Sequence, residues 1–241
     1  MKWPDNAKWA YSITYDEGLE DLFKYVVPLH RELGFPGHIC VVANQIGKIR
    51  DIQGSSYNGM MTLNRKQILG LCSEGWGVSS HGYSHSIITR DNAYFELKES
   101  KQSLSNILDM PINIFCVPGN NASYPPSVAV AQQFGYDAVM TICDGVNAII
   151  QLFMLFRCPL IYEEGPPFFS YFDPYKRIQQ AYECGGWLID YCHCPLQRPV
   201  DKRKDCTFLQ LKKRFEIVIK TGDVWLEEPT KVINYIKEQR S

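Results

Sequence analysis

No run of 18 apolar residues occurs in this 241-residue chain, so a membrane-spanning helix is not expected. Charge of one sign is missing too: 25 Lys and Arg stand against 26 Asp and Glu, a formal net charge of −1. Without a dominant field, nothing draws the chain to nucleic acid or to an acidic membrane surface. The short Lys202-Arg203-Lys204 run lies between Asp201 and Asp205 and reads as a solvated loop. The first residues carry a charge but no apolar segment behind it, which speaks against a secretory leader. Nine cysteines show no repeated spacing, and their odd number points to a reducing, cytoplasmic setting. Histidine is scarce, with five in the chain.

What is present suffices for one sizeable core, since 45% of the residues are hydrophobic. Strand-like runs at 9–15, 36–43, 76–80, 112–117, 138–143 and 187–194 alternate with helical periods. The helices are expected at 19–33, 62–72, 93–109, 126–134, 173–184, 207–220 and from 230 onward. Pro28 falls inside the first and predicts a kink or an early end there. Residues 44–61 are polar and Gly-containing, a long loop of the kind that borders sites. Alternation of this kind implies a parallel sheet, either a barrel or a doubly wound open sheet, and no composition break divides residues 1–241 into two domains.

In parallel α/β folds ligands bind beyond the carboxyl ends of the strands. Asp16 and Glu17 follow the first strand, His81 and His85 the third, and His193 comes late in the last. Two imidazoles four residues apart offer two metal ligands on one short segment. With one carboxylate they make the three protein ligands of a catalytic divalent metal. The second carboxylate is then free to act as general base and His193 as general acid. Cys192 and Cys194 flank His193, and strand alternation turns them to the opposite face, as core thiols.

Thr14-Tyr-Asp-Glu-Gly18 resembles the Thr-Phe/Tyr-Asp-Asp-Gly motif of the polysaccharide deacetylases, carbohydrate esterase family 4. His81-Gly-Tyr-Ser-His85 is similar to that family's His-x-x-x-His motif, and Leu188-Ile-Asp-Tyr-Cys-His193 to its last motif. The resemblance implies a distorted (β/α)₇-type barrel and hydrolysis of a carbon–nitrogen bond outside peptides. N-deacetylation of an amino sugar or polysaccharide is the favoured reaction. It also implies roles: Asp16 as base, Glu17, His81 and His85 as metal ligands, and His193 as the acid that protonates the leaving amine. Zinc is the expected metal, with manganese, cobalt or nickel as substitutes. Asn120, Tyr124 and Arg157 are the substrate-binding candidates, a backbone N–H near Asn120 or Tyr124 holding the oxyanion. The expected partner is a small-molecule or oligosaccharide substrate, with homo-oligomerisation left open.

Two positions depart from the family pattern. Glu17 stands where the family has Asp, and the extra methylene displaces its carboxylate by about a bond length against a ~0.2 Å ligand tolerance. The third motif, Phe115-Cys-Val-Pro-Gly-Asn-Asn, lacks the Arg that pairs with the catalytic Asp. Arg157 is the residue able to replace it from another strand; its alternative role is a structural salt bridge. These departures keep a small non-sugar amide or cyclic imide in view as substrate, as well as a non-catalytic carbohydrate-binding role. Tyr162, Phe168, Phe169, Tyr171, Phe172 and Tyr175, with Pro166 and Pro167, are expected to wall the substrate or to pack as a loop over the barrel mouth.

Overall fold

Strand β1 (Trp9–Tyr15) is buried at every position and holds the sheet together. The computed structural model describes residues 2–119, 130–160, 175 and 177–240. One edge of β1 pairs with β7 (Trp187–Cys192) over six registered positions, from Ala10–Trp187 to Tyr15–Cys192. Its other edge is divided. Trp9–Tyr11 pairs with β8 (Val224–Leu226), and Thr14–Tyr15 with β2 (His38–Val41). Beyond β2 follow β3 (Gly77–Ser80), β4 (Ile114–Cys116) and β5 (Ala138–Met140), and beyond β7 the short β6 (Cys158–Pro159).

Every strand pairing is parallel. The order is β5-β4-β3-β2-β1-β7-β6 with β8 added on β1. The ends of this path meet through an irregular segment: Leu155 bridges Met140, donating its N–H to Val139 O at 2.9 Å and accepting from Thr141 N–H at 2.9 Å. The result is a distorted α/β barrel, as expected.

Period-two alternation sorts β1 into two layers. Trp9, Tyr11, Ile13 and Tyr15 face outward into the larger core, against helices α1 (Leu22–Leu33) and α5 (Phe208–Thr221). Ala10 faces inward with Cys40, Ile114, Cys116, Ala138, Met140, Trp187 and Ile189. Val232, Ile233 and Ile236 of α6 (Pro229–Glu238) join this inner cluster. Leu22, Val26, Val27 and Leu29 of α1 are buried, and each full burial of this kind contributes about 1.5–3 kcal/mol. That tertiary gain outweighs Pro28. The helix runs unbroken to Leu33 and stops at Gly34, whose φ of 73° lets its N–H cap His30 O.

Other expected boundaries contract. The 62–72 helix begins only at Arg65, as α2 (Arg65–Ser73), because Asn64 and Gln67 form a capping box. The 93–109 segment is a π-helical turn (Phe95–Glu99) running into α3 (Ser100–Leu108). α4 (Ile178–Cys184) ends at Gly185. The expected helix starts at 126 and at Asp173-Pro174 lie outside the described residues.

Candidate active site

Asp16 extends the inward layer of β1 past the strand end and is 2% exposed. In a continuing strand Glu17 would point to the other face. Its φ of 77° and Gly18's of 62° break the strand instead, and both carboxylates reach one cavity. At Gly18 a Cβ would come within 2.8 Å of Val41 Cγ1, so glycine is required on two counts.

His81 follows β3 and is buried at 2% exposure; its Nδ1 lies 3.0 Å from Cys116 O. That contact fixes the tautomer with hydrogen on Nδ1 and leaves the Nε2 lone pair facing Asp16 Oδ2 at 4.0 Å. Burial, the largest influence, drives the His81 pKa down to about 4, so the ring is neutral at physiological pH. His85 has a φ of 62°, and its Nε2 is 3.1 Å from Glu17 Oε1. The loop between the two histidines is clamped by Glu96, 2% exposed, whose carboxylate accepts the N–H groups of Tyr83 (2.9 Å) and Ser84 (3.1 Å). Gly82 is needed here, since a Cβ would stand 2.8 Å from Glu96 Oε2.

Arg157 precedes β6 and is fully buried. Its Nη1 donates to Asp16 Oδ1 at 2.7 Å and to Thr14 Oγ1 at 3.0 Å, Nη2 to Asp16 Oδ2 at 3.1 Å, and Nε to Thr141 O at 2.8 Å. Its guanidinium also lies 4.4 Å from the Tyr191 ring centroid. It therefore stands where the family's missing Arg would act, on Asp16. Arg157 is not among the described residues that line the cavity, so its contact is with Asp16 rather than with the open space. Burial alone would raise the Asp16 pKa; the charge of Arg157, with help from His81, reverses this and holds it well below the carboxylate range.

His193 reaches the cavity from the end of β7. The backbone N–H of Asp16 donates to Cys192 O at 2.9 Å, so base and acid candidates leave adjacent strands at one level. His193 Nδ1 is 3.2 Å from Asp205 Oδ1, and its ring stacks on Tyr57 at 5.1 Å. Tyr57 Oη in turn donates to Asp205 Oδ1 at 2.8 Å. Burial would lower the His193 pKa; contact with Asp205, then the charges of Asp205, Asp16 and Glu17, more than offset this and raise it. Cys192 and Cys194 lie in the outer core, on the face away from the cavity.

Asp16, Glu17, His81, His85 and His193 thus line one cavity of about 140 Å³, with Tyr191 and Lys204 beside them. Asn120, Tyr124 and the expected aromatic wall lie outside the described residues, except Tyr175, which is exposed. Four residues missed at the sequence level support the site: Arg50, Tyr57, Glu96 and Asp205. Their contacts cross 33, 136, 13 and 12 positions, and no local pattern marks them.

Glu17, His81 and His85 bring one donor atom each within 4.8 Å of one another. Two imidazoles and a carboxylate are a donor set for zinc and similar divalent metals, so the residues fit such an ion.

A family model for polysaccharide deacetylase matches residues 4–139, more than half of the chain and both of the motifs that carry Asp16, Glu17, His81 and His85. The chain belongs to the polysaccharide deacetylase family. That places it among hydrolases of carbon–nitrogen bonds other than peptide bonds. Its fold is similar to a putative polysaccharide deacetylase from Mycobacterium smegmatis, with 16% identity, 100% of this chain and 94% of that one covered, and a TM-score of 0.64. It is similar to Puue allantoinase at 14% identity, 96% and 91% coverage and a TM-score of 0.63. Similarity to the Streptococcus pyogenes deacetylase PplD, solved with acetate, is 20% in identity with a TM-score of 0.51. There it covers 61% of this chain and 62% of that one, under two thirds of its length. Identities this low speak for the fold. Comparison with curated protein sequences finds no significant match. No helix among the described residues is long and apolar enough to cross a membrane.

Proposed function

We propose that this deacetylase-family chain removes an acyl group, most simply acetyl, from the nitrogen of an amino sugar, with a divalent metal held by Glu17, His81 and His85. The observation that carries this reading is the convergence of five groups on one cavity: two carboxylates with different partners, a histidine pair, and a third histidine with its own aspartate. When bound, the metal supplies Lewis acidity, polarising the acyl carbonyl and acidifying water. Zinc suits the two imidazoles best.

The chain's own residues supply the proton transfers. Asp16, kept ionised by Arg157, takes the proton of the attacking water at a carboxylate oxygen. Its bidentate clamp fixes that oxygen's position, so little reorganisation accompanies the step. The tetrahedral adduct collapses when its C–N bond breaks and the nitrogen takes a proton from His193. Asp205 supports this step by holding the imidazolium form and its orientation, while Tyr57 stacks on the ring and fixes Asp205. His81, neutral and hydrogen-bonded through Nδ1, stays a donor of its lone pair and takes no part in proton transfer.

The test is acetate release from N-acetylglucosamine oligomers by metal-loaded protein, beside the Asp16→Asn variant. Wild type should release acetate and the variant should do so about 10²–10⁴-fold more slowly. Turnover of small cyclic imides without acetate release would reject the sugar substrate in favour of an amidase.

A further inference from the structure

Arg50 lies in the loop between β2 and α2 and is 1% exposed. Its backbone is tied on both sides, N–H to Met60 O at 2.8 Å and O from Gly59 N–H at 2.9 Å, and its Nε donates to Ser55 Oγ at 3.1 Å. So anchored, its Nη2 forms an ion pair with Glu17 Oε2. The other oxygen of the same carboxylate faces His85. Among the described residues neither Nη1 nor Nη2 of Arg50 has a hydrogen-bond partner, so the contact with Glu17 Oε2 is one of charge, and Glu17 is the carboxylate that the guanidinium pairs with. Each carboxylate of the Asp16-Glu17 pair therefore has its own buried arginine, Arg157 on the first and Arg50 on the second.

The two pairs do different things to the chemistry. Asp16 has to remain an anion, and a fixed cation helps it. Glu17 has to give electron density to a dication, and a fixed cation behind it withdraws density and repels the ion. Two neutral histidines and a lone Glu would present a ligand charge of −1; with Arg50 on the carboxylate the formal charge is zero. In a buried setting such a charge is weakly screened. Glu17 also needs Arg50 in the empty state, since its left-handed backbone points the carboxylate into a site that would otherwise leave it buried beside a single histidine.

We infer that Arg50 competes with the divalent cation for Glu17, making the metal site preformed but weakly binding, so that the ion exchanges rather than staying resident. Arg50 is a positioning residue, acting through Glu17, and the inference rests on Glu17, His81 and His85 being the metal ligands.

The test is zinc affinity, measured by competition with a chromophoric chelator on metal-stripped full-length protein. Wild type should bind with a dissociation constant on the order of micromolar or weaker. Arg50→Gln, which keeps a hydrogen-bond donor and removes the charge, should bind roughly tenfold more tightly or better. A wild-type constant in the nanomolar range, or an Arg50→Gln variant that binds no tighter, overturns the inference. If that variant fails to fold by circular dichroism, the wild-type constant alone decides. His81→Ala separates the premise from the conclusion. Zinc binding unchanged by it, or no binding by any of these proteins, means that the ligand assignment has failed.

Discussion

Arg157 grips both oxygens of Asp16, at 2.7 and 3.1 Å, from a position 141 residues further along the chain. Both partners are buried, which makes the pair costly to break from one side only. Arg157→Met should lower stability by about 3–5 kcal/mol, because it strands a buried carboxylate. Asp16→Asn should lower kcat about 10²–10⁴-fold, the range of a general base. Combining the two should destabilise less than the sum of the single changes, read by urea unfolding; strict additivity would mean that the ion pair is not coupled.

Asp205→Asn tests the acid side. As the proposed acid, His193 has to be protonated to serve the leaving nitrogen, so activity should be lost as pH rises through its pKa, which lies above the ordinary imidazole value. Removing the Asp205 charge lowers that pKa. The alkaline limb of the kcat profile should move to lower pH by about one unit, with kcat reduced at its optimum. An unmoved limb would assign the acid elsewhere.

Acid should unfold the protein through its carboxylates. Asp16 and Glu17 are both held below their ordinary values, chiefly by Arg157 in the first case and by His85 and Arg50 in the second. Their stabilisation is complete above the unfolded carboxylate pKa of about 4 and falls away as pH drops below it. Asp16→Asn should flatten this acid limb in thermal melts followed between about pH 5 and pH 2.

Glu96→Gln should loosen the histidine loop. One carboxylate receives two backbone N–H groups and the Ser84 hydroxyl, and a neutral amide accepts at one oxygen only. Stability should fall by about 1–3 kcal/mol, and zinc binding should weaken although no ligand is touched. Chelator competition with a parallel melt checks both.

Gly77→Ala probes the floor of the barrel. A Cβ there would stand 2.0 Å from Glu228 Oε2 and 2.2 Å from His38 Nδ1, within a buried pair 3.1 Å apart. Overpacking of this kind costs roughly 1–3 kcal/mol or more, and the melting temperature should fall accordingly.

How much of this was legible beforehand follows from the range of each interaction. β1, β3 and β7 could be read because strands buried on both faces leave short runs of apolar, aromatic and small residues bounded by turn residues, and the chemistry hangs on their ends. The early end allowed for at Pro28 does not occur, because the rule about its missing N–H is local, whereas α1 is held by its packed face. The Asp-Glu-Gly and His-x-x-x-His segments show their donors directly. Arg157 could be read only through the gap left by the Arg missing from the third motif, and Arg50 and Asp205 show nothing in their own neighbourhoods. Each becomes meaningful only when the barrel brings it against a carboxylate or a ring distant in sequence. A lone Arg in a polar loop looks like any solvated residue until it is seen buried.

The hydrogen bond from Asp16 N–H to Cys192 O has a wider consequence. It continues the six-residue pairing of β1 with β7 to the last position before each reacting side chain. The spacing of the proposed proton acceptor and donor is therefore set by the sheet, while the connections that carry Arg50, Tyr57 and Asp205 hold the partners of Glu17 and His193. In such a molecule, choice of substrate and conduct of the reaction can drift independently. Loop grafts that spare Arg50, Tyr57 and Asp205 should alter what is cleaved while leaving how it is cleaved intact.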